Sequence, residues 1–255
     1  MTTLTDNEIA VEMNAGRLVK NGNTNQLAGA CYELRLGNIY YDLTESDKPI
    51  PVKQGESVLI KPGHRVVLIT LEELELPADI FARVVSKGSL FSIGLSPVAT
   101  YADPGFQGNL GIVTQNISDK YIQLPIREPI AKIDFTKLVG QVNKIYHGQH
   151  GFSTQIWPIK HQLQKTYSEV AGDSRVGSEK EEAYKLLPRA TSEVLRRIER
   201  RQRTIDICIF AAVILNVIAL GLISSGVLET VAGVIGNLVA DAIVALLVII
   251  VRRKG

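Results

Sequence analysis

Little in this chain invites a redox or metal reading. Its 255 residues include two cysteines, Cys31 and Cys208. That is too few for a disulfide framework and fits a reducing compartment. Four histidines are present. His147 and His150 are near neighbours, but no cysteine or carboxylate stands at ligand spacing from them. His64 and His161 are isolated, so no metal site is expected. Charge of one sign is also scarce. The 28 basic and 26 acidic side chains leave a net charge of +2, without the basic excess of a nucleic-acid binder, and no nucleic-acid partner is expected. Met1 to Ala15 is polar and acidic rather than basic and then apolar, so no secretory leader is expected.

What the chain does have is a dense run of turn residues between Ser86 and Asn116. It reads Ser86-Lys87-Gly88-Ser89-Leu90, then Gly94-Leu95, then Asp103-Pro104-Gly105-Phe106-Gln107-Gly108. Glycine before serine lets backbone N–H groups turn toward an anion. Asp-Pro-Gly is a turn by local physics, since Pro fixes φ and Gly accepts a positive one. A loop able to hold phosphate and a loop presenting a carboxylate make a nucleotide-site pattern. Two hairpin turns of a β-barrel would leave the same signature.

Around this stretch lie short apolar runs at roughly ten-residue spacing, separated by turn clusters: 57–60, 65–70, 81–85, 110–114, 121–124 and 130–135. They indicate an all-β barrel or jelly roll. Before them, Thr5 to Val19 reads as a short helix capped by Thr5 or Asp6.

These residues, in order, resemble the dCTP deaminase/dUTPase superfamily. Leu4-Thr5-Asp6-Asn7-Glu8-Ile9 with Gly16-Arg17-Leu18 is similar to the N-terminal helix of dCTP deaminases, and Tyr32-Glu33-Leu34-Arg35-Leu36-Gly37 to their first motif. Lys61-Pro62-Gly63, Leu76-Pro77 and Ala82-Arg83-Val84 resemble the strands leading to the central motif. Arg127 to Phe135 resembles a late family strand. The resemblance implies a mainly β, dUTPase-like distorted barrel of jelly-roll type over residues 1–160. It also implies a homotrimer or higher homo-oligomer with sites between subunits. It carries nucleotide-binding roles to Lys87, Gly88, Ser89, Asp103, Phe106 and Gln107, with Phe106 at the sugar-stacking position. Asp103 stands where dUTPases keep the carboxylate that activates water, and is the catalytic candidate if that chemistry operates. The glycine-rich segment Gly148 to Thr154 sits where dUTPases have an arm that closes over the nucleotide, although a surface turn is the simpler account. A bound triphosphate would bring Mg²⁺ with it.

The departures are specific. The central motif Arg-Ser-Ser-Leu-Ala-Arg reads Lys87-Gly88-Ser89-Leu90-Phe91-Ser92 here. The deaminase glutamate, three residues before the match to Asn116, is Val113, which cannot shuttle a proton. Glu33 stands where the dUTPase first motif has aspartate.

After the barrel the composition shifts. Residues 161–189 read as a linker, and Gly172 to Glu182 is polar without hydrophobic period. A basic juxtamembrane helix is expected over 190–206, with Arg196, Arg197, Arg200, Arg201 and Arg203 close together. Two apolar runs follow, 207–223 and 231–251, with Arg252-Arg253-Lys254 after the second. They are expected to be transmembrane helices. Valine, isoleucine and leucine in the second contribute about −4 to −8 kcal/mol to insertion, against about 2.5–3.5 kcal/mol for Asp241. Basic flanks place both ends in the cytoplasm, so a multi-pass protein of the cell inner membrane is expected, with its β domain cytoplasmic. Asn216, Asn237 and Asp241 would be polar groups at membrane depth, lining a pore or joining helices.

The leading expectation is a membrane-anchored nucleotide-binding sensor or effector on a catalytically eroded domain. Its ligand, a deoxynucleotide or nucleotide second messenger, would bias the helical hairpin, in antiviral or stress signalling. The alternative is an active deoxynucleotide hydrolase tethered to the membrane, releasing pyrophosphate or deaminating dCTP.

Overall fold

The computed structural model describes residues 1–148, 151–225, 233–236, 238 and 242. Its first unit is Met1–His161 and its second Gln162–Gly255. In the first unit β1 (Thr2–Thr3) precedes α1 (Asp6–Asn14), followed by β2 (Leu18–Lys20), β3 (Tyr32–Asp42), β4 (Pro49–Pro51), β5 (Ser57–Ile60), β6 (Arg65–Glu75) and β7 (Ile80–Ser86). A five-residue helix α2 (Gly88–Ser92) leads to β8 (Ala99–Ala102), β9 (Gln107–Gln115), β10 (Ile122–Pro125) and β11 (Pro129–Lys137), and a short α3 (Gly151–Thr154) follows. This is a mainly β architecture, as expected.

The long strands alternate. Tyr32, Leu34 and Leu36 of β3, and Val66 and Leu68 of β6, point into the main core with Ile112, Ile133 and Phe135. Side chains of period two place one face of a strand inside, and β-branched residues suit that pleated surface. Val67 and Ile69 face the other way and meet Tyr41, Phe152 and Trp157.

The sheet curls because two strands change partners. β3 pairs with β11 through Tyr32–Arg35 and with β6 through Leu36–Asp42. β6 keeps β9 along its length, and exchanges β3 for β2 near its end. A register shift between Ile69 and Glu73 marks the exchange. Bulges of this kind bend a sheet and increase its twist. A Cβ on Gly37 would lie 3.0 Å from the Ile69 carbonyl oxygen, so the close crossing requires glycine. The bulge is held by side chains: Asn109 Nδ2 donates to the carbonyls of Thr70 and Glu72, and Leu110 N donates to Thr70 Oγ1. Glu72 is fully buried and accepts from Arg35 N at 2.8 Å, Arg35 Nε at 2.6 Å and Tyr32 Oη at 3.2 Å.

The N-terminal helix is shorter than expected. Thr5 and Glu8 form its capping box, but it ends at Asn14. Gly16 follows with φ +76°, the left-handed residue that closes many helices. Leu18 and Val19, read as helical, instead form β2 against β6.

In the second unit the segment read as a linker contains helices. Ser178 and Glu181 form a capping box for α5 (Glu179–Leu186), after a single turn, α4 (Tyr167–Val170), capped in the same way by Thr166 and Glu169. Local capping stabilises these turns despite their polarity. The basic segment and the first apolar run form one continuous helix, α6 (Arg189–Ser224). It is long and apolar enough to cross a membrane, with mean hydropathy 2.5 in its most apolar window. The second expected span lies mostly outside the described residues, and so do Asn237 and Asp241. Asn216 lies on α6.

Candidate functional site

Lys87 follows β7 and begins the turn expected to hold phosphate. β11 runs between β3 and β7, with Ala131 opposite Ser86 and Lys132 opposite Glu33. That order lets Lys87 reach across β11. Its Nζ lies 2.9 Å from both carboxylate oxygens of Glu33, and Lys132 Nζ is 3.8 Å from the same group. Two ammonium groups around one carboxylate leave local positive charge suited to a phosphate chain. Gly88 and Ser89 open α2, a single helical turn whose Leu90 N and Phe91 N return to the Lys87 carbonyl. A Cβ on Gly88 would meet nothing within 4 Å, so its approach is open.

Asp103 stands on the turn between β8 and β9, exposed. Its carbonyl accepts from Phe106 N at 3.0 Å, and Gly105 takes φ +88°, as an Asp-Pro-Gly turn demands. The chain returns over this turn after β11: Tyr146 N donates to the Pro104 carbonyl at 2.9 Å. Asp103, Pro104, Lys144, Tyr146 and His147 line a cavity of about 650 Å³. Gln107 lines a neighbouring one with Gly105 and Tyr146.

Lys87 and Asp103 are not brought together within one chain. In the β7–β8 ladder Val85 pairs with Ala99 and Ala82 with Ala102, so the two residues lie beyond opposite ends. At about 3.3 Å per residue the separation along the ladder is roughly 20 Å.

Phe106 is placed differently from the sugar-stacking expectation. It is 5% exposed and belongs to the main core, with its ring centroid 5.5 Å from that of Tyr146. The returning segment covers it, a contact some forty residues away that local pattern does not reveal. Tyr146 and Lys144 line the cavity beside Asp103, and the sequence reading missed them for the same reason. The expected closing arm is divided. Gln149 and His150 lie outside the described residues, and Phe152 packs with Trp157 on the outer face of β6.

Val113 sits on β9 opposite Val67 and is 43% exposed. No proton-transfer group occupies that position. Asn116 is buried and organises a turn: its Nδ2 donates to the Ile60 and Lys120 carbonyls, and its Oδ1 accepts from Ser118 N and Oγ.

His64 is not isolated in space. Its Nδ1 lies 2.8 Å from Asp42 Oδ2, and Asp42, Glu45 and His64 present donors within 4.8 Å of one another. Lys61 already occupies Glu45 as an ion-pair partner, so a cation is present without a metal. The three come together only because β3 and β6 pair, which sequence spacing does not show.

A family model described as dCTP deaminase-like matches residues 3–138. A dCTP deaminase of Pyrococcus abyssi is 31% identical over 54% of this chain and 88% of its own. A dUMP-forming dCTP deaminase of Dictyoglomus thermophilum is 30% identical over 58% of this chain and 87% of its own. Among solved structures, the 2′-deoxycytidine 5′-triphosphate deaminase of Agrobacterium tumefaciens superposes with a TM-score of 0.45 at 18% identity. That match covers 52% of this chain and just under half, 47%, of the other.

Proposed function

Because the chain belongs to the dCTP deaminase-like family, we propose that its β domain is a deoxynucleoside triphosphate hydrolase, tethered to a membrane by α6. This reading replaces the eroded sensor as the leading one, since the relatives are nucleotide-metabolising enzymes. The observation that carries it is Asp103, exposed on a rigid Pro-Gly turn and lining a cavity shared with Lys144, Tyr146 and His147.

In this mechanism the Asp103 carboxylate takes a proton from a water as that water attacks the α-phosphorus. The bond from the α-phosphorus to the bridging oxygen breaks, and pyrophosphate leaves with that oxygen. The nucleoside monophosphate retains the new P–O bond. Lys87 and Ser89 bind the phosphates, and Lys87 exchanges its contact with Glu33 for phosphate oxygen as the substrate enters. Mg²⁺ carried by the triphosphate would neutralise its remaining charge. Because Lys87 and Asp103 lie at opposite ends of the β7–β8 ladder, a complete site draws on two copies, in keeping with the homotrimer that the resemblance implies. Deamination is set aside, since Val113 offers no acid or base.

One observation favours a second reading. Val113, together with Asn216 on a long apolar helix, suits a nucleotide sensor that binds without turnover and biases its membrane helices. Differential affinity for two helix arrangements would drive it. The test is incubation of the full chain, in detergent, with deoxynucleotides, ribonucleotides and cyclic nucleotides, followed by chromatography and a melting curve. Pyrophosphate with a monophosphate product supports the hydrolase. Ammonia release would overturn the exclusion of deamination, and a melting shift without product would favour the sensor.

A further inference from the structure

Outside the β domain, the largest concentration of charge lies at the base of α6. Arg196, Arg197, Arg200, Arg201 and Arg203 face only two carboxylates in the same stretch, Glu199 and Asp206. Glu199 is already engaged. Lys180 of α5 forms an ion pair with it, and the Tyr184 ring of α5 lies under Arg196 at 5.0 Å. Among the described residues, no carboxylate is within ion-pair distance of Arg197, Arg200, Arg201 or Arg203. Lys180, Arg196, Arg200 and Arg203 share an open cavity of about 430 Å³ between α5 and α6 with two carboxylates, Glu199 and Asp206, so basic groups outnumber acidic ones four to two. Tethering of α5 by Lys180 thus neutralises Glu199, and the three arginines left in the recess outnumber Asp206, which keeps it basic.

The position of this recess defines its occupant. The apolar run begins at Ile207. At 1.5 Å per residue, Arg203 stands about 6 Å from that boundary and Arg200 about 10 Å. The headgroup layer outside the hydrocarbon is about 5–8 Å deep. Arginine side chains reach along that axis, with apolar stems toward lipid and guanidinium groups at the phosphates. Arg196 and Arg197 lie farther out, near the limit of a Debye length.

We propose that the α5–α6 recess binds the phosphate of anionic phospholipids in the leaflet that α6 enters, so that the tether selects its lipid surroundings. This rests on the reading that α6 spans a membrane. Each arginine near an anionic surface is worth about fivefold in lipid association, so the cluster yields strong preference for anionic over zwitterionic lipid, reduced by salt.

The experiment places the full chain in vesicles of phosphatidylcholine with a minor fraction of phosphatidylglycerol. Spin-labelled lipids then measure the relative association of the two headgroups. Carbonate extraction of the same vesicles first establishes that the chain is membrane-embedded. Expected is a preference for phosphatidylglycerol of tenfold or more. It should fall toward unity when Arg196, Arg197, Arg200, Arg201 and Arg203 are changed to Gln, and survive their change to Lys, which retains the charges and helix propensity. An embedded chain without headgroup preference would overturn the recess while leaving the tether intact. A chain extracted by carbonate would overturn the tether and the recess with it. Equal capture of soluble glycerophosphate would overturn the assignment to lipid.

Discussion

The ammonium of Lys87 lies 2.9 Å from both carboxylate oxygens of Glu33, across the intervening strand β11. Under the proposed function, the lysine that would grip a phosphate is held by an internal anion that the substrate would have to displace. Loss of a charge-assisted hydrogen bond costs about 1.5–3 kcal/mol, or about 10- to 150-fold in affinity. Lys87→Met is expected to weaken binding of an α,β-imido deoxynucleoside triphosphate by that factor in calorimetric titration. Glu33→Gln, which releases the lysine, is expected to tighten it several-fold. Weaker binding in both variants would show that Glu33 contacts the ligand or its cation directly.

Glu72 is a second internal anion, with a structural role. It is fully buried against Arg35 and Tyr32 at the bulge where the sheet curls. Removing one partner of a buried pair costs about 3–5 kcal/mol. Glu72→Ala is expected to show that loss in denaturant unfolding, and Glu72→Leu combined with Arg35→Met to cost less than the single change.

Tyr32 sets the alkaline limit of the same network. Burial, with Glu72 close by, pushes its phenol up to about 12. The unfolded chain then loses this proton near pH 10, before the folded one does. The contribution is intact below pH 10 and is lost as pH rises toward 12. Tyr32→Phe is expected to lower stability by about 1–3 kcal/mol at neutral pH and to flatten the stability profile between pH 10 and 12.

Trp157 is the one tryptophan and reports how the segment after the barrel docks. A Cβ on Gly111 would lie 2.4 Å from its ring. Gly111→Val is expected to displace the indole from Tyr41 and shift its fluorescence to the red, and under the proposed function to leave triphosphate affinity unchanged.

Much of the fold was legible because its strands alternate so regularly. Leu34 and Leu36, and Val66 and Leu68, announce a buried face within a few residues. The resemblance supplied the order of the motifs. Elements without that pattern stayed hidden. Pro49-Ile50-Pro51 looks like a turn, yet pairs with the edge of β3. Leu18 looks helical, yet lies two residues after the left-handed Gly16 and itself takes φ +65°. The Ser178–Glu181 capping box was present in the sequence, but its polar surroundings pointed to a linker. At the candidate site, motif resemblance singled out Lys87 and Asp103. Tyr146 over Phe106, and Asp42 beside His64, depend on long-range returns of the chain that no local spacing encodes.

The most direct test of the account is pyrophosphate release from dUTP and dCTP by the 255-residue chain and its Asp103→Asn variant. A positioned general base contributes about 10²–10⁴-fold. The hydrolase reading predicts a monophosphate product and a kcat lowered by that factor in the variant, with triphosphate binding retained. Turnover unchanged by Asp103→Asn, or binding of either nucleotide with no product at all, would contradict it.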